Sequence, residues 1–102
     1  MILRLWRGWT ASEQPDRYGE LIHSTIFPGI LARGIGGLEG LKLHRREVGE
    51  ETEFMTLMRF SSLDAVKAFA GAQWEMSVVP AAARQVLRFD ERASHCDLRA
   101  GG

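Results

Sequence analysis

Residues 52–60 read TEFMTLMRF. In an extended chain successive side chains point to opposite faces, so Phe54, Thr56, Met58 and Phe60 fall on one side while Met55 and Leu57 fall on the other. A strand that is apolar on both faces belongs in the middle of a sheet, covered above and below. Residues 2–9, ILRLWRGW, behave the same way, with Leu3 and Leu5 set against Ile2 and Trp6. Any fold open to this chain must therefore flank two central strands and cover both of their faces.

The remaining elements follow from periodicity and punctuation. Tyr18, Leu21, Ile22, Thr25 and Ile26 recur at helical spacing, with Thr10 and Ser12 as candidate N-caps and Pro15 near the helix start. His23 falls roughly 130° from the centre of that stripe and is expected to face solvent. Pro28 should end or kink the helix, with a further turn through Ile30 to Arg33. The segment RGIGGLEG at 33–40 resembles a phosphate loop only in its glycines. It lacks the G-x-G-x-x-G order and runs from helix to strand, so it reads as a helix C-cap and a tight turn.

Residues 40–48 alternate Leu41 and Leu43 with Lys42 and His44, and Gly49-Glu50-Glu51 joins them to 52–60 as an antiparallel hairpin. Ser61 or Ser62 caps a short helix carrying Leu63, Val66, Phe69 and Ala70, which Gly71 closes. Pro80 supplies the first position of another short helix with Ala83, Val86 and Leu87 inward. Residues 92–99 form a last, half-buried edge strand.

The order is βαββαβ with a broken second helix. This is an α+β, ferredoxin-like arrangement, with a four-stranded antiparallel sheet of order 4-1-3-2 whose first and third strands are central. It occupies residues 1–99 as one domain, and 100–102 form a flexible tail; 102 residues are too few for a second core. Both helical layers cover one sheet face. The other would stay open in a monomer, so a homodimer closed through that face is expected, with Met55, Leu57 and Trp6 as seam candidates.

Thirteen basic and thirteen acidic residues balance and are scattered, which argues against nucleic acid or an anionic membrane as partner. One cysteine gives no internal disulfide and fits a reducing, cytoplasmic setting. MILRLWRGW is broken by Arg4 and Arg7 and does not read as a signal peptide, and no apolar run approaches the roughly 18 residues of a membrane span.

The segment RASHCDLR at 92–99 places the single Cys96 between His95 and Asp97. On a strand Cys96 and His95 point to opposite faces, so they form no nucleophile–base pair, and Cys96 reads as a small hydrophobe packed with Leu98. His95 and Asp97 share a face roughly 6.6 Å apart, close enough for the carboxylate to orient the imidazole, and they are the catalytic candidates; a polar edge or dimer seam is the favoured explanation, since an edge strand normally carries such residues. The three histidines lie on three elements without metal-ligand spacing, so no metal is expected. Trp6 is most simply core. Trp9 at a strand end and Trp74 in a loop are pocket candidates, and Tyr18 could add its hydroxyl. Arg59 on an otherwise apolar strand needs a partner, either Glu53 on the same face or an anionic ligand.

In its element order, in MRFSSLDAVKAFAG at 58–71 and in VVPAAARQVLRFDERASH at 78–95, the chain resembles the antibiotic biosynthesis monooxygenase-like proteins of the dimeric α+β barrel superfamily. The resemblance implies two sheets packed face to face and a ligand held between a subunit's sheet and its helices. Characterised relatives oxidise polycyclic phenols without a cofactor, degrade haem or oxidise quinols. Their oxygenases commonly use an asparagine, a tryptophan and a tyrosine or histidine. This chain has no asparagine, Phe60 stands where the family's tryptophan sits, and the haem-binding histidine would fall near Val78 or Val79. Phe60 joins the ligand-binding candidates by that alignment, and neither haem nor another cofactor is expected. Three readings of function follow. They are a small-molecule enzyme, an oxygenase or isomerase of an aromatic or quinone-like compound; a non-catalytic binding or assembly module; and, last, a haem-handling protein.

Overall fold

The two doubly apolar segments pair with each other along their full length at the centre of the sheet. The computed structural model describes residues 1–11, 15–79, 86 and 88–100. Strand β1 (Ile2–Ala11) is followed by a continuous helical stretch, α1 (Pro15–Leu21), a π-helical turn (Ile22–Ile26) and α2 (Phe27–Ala32). Strands β2 (Leu38–Val48) and β3 (Glu51–Phe60), helix α3 (Leu63–Ala70) and the short strands β4 (Arg88–Phe89) and β5 (Ser94–Asp97) complete the order. β1 runs antiparallel to β3 with Ile2 opposite Phe60 and Ala11 opposite Glu51, and β2 flanks β3. The fourth position, beside β1, is shared by β4 and β5, each pairing a different part of that strand. The ferredoxin-like α+β class thus holds, while the sheet departs in detail from the expected four strands in order 4-1-3-2: it has five, because β4 and β5 divide the place beside β1 between them.

Register decides which face looks toward the helices. Arg4, Trp6 and Gly8 share a side with Phe54, Thr56, Met58 and Phe60, and that side carries the core. Tyr18 and Ile22 pack on Phe54 at one end, while Ala65, Val66 and Phe69 pack on Met58 and Phe60 at the other. Leu3, Leu5, Met55 and Leu57 lie on the opposite, open side. Met55 and Leu57 are therefore on the face expected for a seam, but Trp6 is not. It packs beneath the helices, and its indole N–H donates to the Asp90 carbonyl at 2.9 Å. Alternation alone sorts Trp6 from Leu5 without saying which set meets the helices.

Other local expectations shift for identifiable reasons. Thr10 pairs with Thr52 within β1 and so is no helix cap; Ser12 lies outside the described residues. The hairpin turn is two residues, Gly49-Glu50, because Val48 pairs Glu51. Gly49 takes φ +61° and Glu50, like every other described non-glycine residue, does not have positive φ, the pattern of a type II′ turn. Ser62 caps α3, accepting the Ala65 N–H at 3.2 Å, and Gly71 ends it at φ +83°. The helix placed on 80–87 falls almost wholly outside the described residues; Val86 packs against the Tyr18 cluster. Cys96 and Leu98 are both exposed, since β5 is a short edge whose open side has no cover among the described residues. Among the described residues no helix is long and apolar enough to cross a membrane.

Candidate functional site

Pro28 neither ends nor breaks the first helix. It has no N–H for the carbonyl a turn earlier, and its ring would strike that carbonyl in a regular helix. The chain relieves this with the π-helical turn, where the Phe27 N–H reaches back five residues to the Ile22 carbonyl. Ile22, Thr25, Ile26 and Phe27, from the widened turn and the start of α2, line one wall of a cavity of about 290 Å³. Its floor is Arg4, Trp6, Thr56 and Met58 on the two central strands, and Phe69, Val78 and Val79 contribute further wall.

Among the described residues the lining is apolar except for Thr25, Thr56 and two charges, Arg4 and Arg33, both cationic. Arg4 is 3% exposed. Its position follows from a loop that doubles back over β1, where Ser77 N–H donates to the Glu91 carbonyl and Ala93 N–H to the Glu75 carbonyl, both at 2.9 Å. That loop delivers two acceptors to Arg4: the Trp74 carbonyl on Nη1 at 2.5 Å and the Met76 carbonyl on Nη2 at 2.8 Å. A third contact, Nη1 to His95 Nε2 at 3.0 Å, is a donation to the lone pair of a neutral imidazole, because an imidazolium has none. The guanidinium also lies 5.5 Å from the Phe69 ring centroid, and Arg33 lies 5.1 Å from the same ring. Among the described residues no carboxylate forms an ion pair with Arg4. Burial lowers its pKa, and the charge persists because an arginine starts so far above neutrality.

His95 is half-buried, with its ring edge-on to Trp74 at 5.0 Å. Burial, and then the Arg4 charge, push its pKa down, against a weaker upward pull from Glu75. With Nε2 occupied and protonation disfavoured, His95 in this arrangement holds Arg4 in place. Asp97, across the strand from Ile2, is exposed and pairs with Arg99 at 3.7 Å; no hydrogen bond joins it to His95.

None of the five ligand-binding candidates read from the sequence lines the cavity. Phe60 is fully buried in the core below it, and Trp74 is half-buried against that same cluster, reaching the site through its carbonyl. Tyr18 packs on Phe54 with centroids 4.9 Å apart, and burial pushes its hydroxyl up to about 12, so it stays protonated. Trp9 lies on the open side beneath the guanidiniums of Arg88 and Arg7, at 4.4 and 5.1 Å from its ring. Arg59, also on that side, gives Nη2 to the Glu39 carbonyl at 3.2 Å, because Glu53, six residues back along the same strand and roughly 20 Å away, is out of its reach and is held by Arg46 at 2.9 Å. The residue missed was Arg4. The argument applied to Arg59, a cation on an apolar strand in need of a partner, applies with more force to the arginine in ILRLW. Among the described residues no three His, Cys, Asp or Glu side chains gather as a metal site would require.

In fold the chain is similar to a crystal structure from Bacillus cereus of a protein provisionally assigned as an antibiotic biosynthesis monooxygenase. The TM-score is 0.60 at 16% sequence identity, over 99% of this chain and 98% of that one. No protein-family model and no curated protein matches the chain.

Proposed function

We propose that this chain binds a small, apolar, ring-bearing molecule between its sheet and its first helix. The observation that carries the reading is the cavity, about 290 Å³ of space lined on one side by the π-helical turn and walled by Trp6, Phe27, Met58 and Phe69. Ligand pockets commonly occupy about 300 to 1,000 Å³ and combine apolar walls with few polar groups. The likeness in fold to the Bacillus cereus protein extends the reading to a cofactor-independent oxygenase or isomerase of an aromatic or quinone-like compound. A binding module without chemistry is the competing reading.

The same proposal includes a homodimer closed through the open sheet face. Leu3, Leu5, Met55 and Leu57 remain only half-buried there. Covering several hundred Å² of such surface is worth on the order of 10 kcal/mol at about 25 cal/mol per Å², before association costs.

A tryptophan fluorescence titration with neutral 4-nitroanisole tests the binding site. Saturable quenching is expected; Trp6→Phe should remove most of it and Trp9→Phe little. Quenching that survives Trp6→Phe and vanishes with Trp9→Phe would move the ligand to the other side of the sheet.

A further inference from the structure

We infer that the molecule this cavity accepts carries a carboxylate, taken by the unoccupied donors of Arg4, with its apolar body against the walls of the π-helical turn. The inference rests on the proposed binding site and adds the chemical class of its ligand.

Among the described arginines on the strands, Arg4 is the one that is both buried and without an acid; Arg59 also lacks an acid, but it is exposed and meets the Glu39 carbonyl. Arg7 is matched by Asp90 at 2.9 Å, Arg46 by Glu53 at 2.9 Å, Arg45 by Asp16 at 2.6 Å and Arg88 by Glu51 at 3.3 Å. The arginine side chain of each pair is well exposed to solvent, yet each has its acid. Arg4, at 3% exposure, has none among the described residues. Two carbonyls and a neutral imidazole satisfy its hydrogen bonds in part, and none of them balances its charge. A guanidinium carries five N–H donors. Three are used, and Nε–H and one Nη2–H have no acceptor among the described residues, although Arg4 lines the cavity.

Those two remaining donors suit a planar two-oxygen acceptor, since arginine and carboxylate meet through parallel N–H···O bonds. Water exclusion by the apolar walls strengthens such a pair. Among the described residues no acidic side chain lines the cavity to repel an anion, and the second lining charge there, exposed Arg33, adds positive potential at its solvent side. A phosphate dianion fits less well, because it would need more donors than the lining provides.

Calorimetric titration of the whole protein with 1-naphthoate and with its neutral, planar counterpart 1-naphthamide separates the two layers of the argument. The naphthoate should bind about tenfold more tightly, the scale of a hydrogen bond to a charged group. Arg4→Gln should abolish that preference and leave naphthamide binding within about threefold of the parent, while Arg4→Lys retains part of it. Where Arg4→Gln does not fold, Arg33→Gln decides, with an expected loss of about threefold for naphthoate alone. Equal binding of both compounds, or a preference untouched by Arg4→Lys and Arg33→Gln, overturns the carboxylate and leaves the cavity as a neutral site. Binding of neither compound overturns the site itself, and the inference with it.

Discussion

Arg4 and Arg7 lie three residues apart on one central strand and face opposite sides of the sheet. Arg7, on the open side, is half-exposed, meets Asp90 through Nε at 2.9 Å, and has its pKa raised by that hydrogen bond. Arg4, under the helices, is buried, meets only neutral acceptors and has its pKa lowered by desolvation. A buried charge without a counter-charge is costly, so a chain that needed a cation only for packing would be better served by a hydrophobe. The contrast separates a charge that completes the fold from one left available to a partner. It extends to the two faces: the helix side combines a core with a cavity, and the open side presents a partly covered apolar surface edged by ion pairs.

The comparison breaks first at the core. Phe60→Ala should cost about 3–5 kcal/mol in denaturant unfolding, because the ring is fully buried against Val66 and Phe69. A loss under about 1 kcal/mol would mean that the helix side is not the packed one. Leu57→Glu, opposite Leu5 on the open side, should leave a folded chain that runs as a monomer of 11.4 kDa in light scattering, where the parent is expected to give roughly twice that mass. A parent already monomeric at micromolar concentration would end the role assigned to that face.

The smallest effect is a pH dependence at the Arg4 site. The folded-state pKa of His95 is depressed, by burial first and by Arg4 second. In the acid range the unfolded chain therefore takes up a proton that the folded chain refuses. The His95 contribution to stability is complete above the unfolded value of about 6.5 and is lost as pH falls from there toward the folded value. Urea midpoints should thus drop between about pH 7.5 and pH 5, and less steeply in His95→Gln. An unchanged slope in that variant would mean that His95 is not the neutral acceptor of Arg4.

Much of this architecture is legible in the sequence because two-sided apolarity is a strong constraint. TEFMTLMRF and ILRLWRGW demand central positions, and the glycine and serine punctuation around 61–71 places α3 with its caps. The candidate site was much less legible. Strand alternation divides side chains into two sets without naming the face that each set meets, so Trp6 and Trp9 exchange the roles expected of them. Pro28 signals an interruption but not a π-helical turn, which depends on how the helix rests on the sheet. Arg4 is visible as a charge in an apolar strand, but its three acceptors come from residues 74, 76 and 95, more than 69 positions away. Those contacts exist only after the loop has folded back over β1.

The claim that the two faces divide the work is tested most directly by methyl NMR of the intact protein titrated with 1-naphthoate. The account predicts progressive shifts at the methyls of Ile22, Ile26, Ile30 and Met58, which surround the cavity, and none at Leu3, Leu5, Met55 and Leu57 on the open side. Shifts confined to the open-side methyls, with the cavity methyls unmoved at saturation, would contradict it.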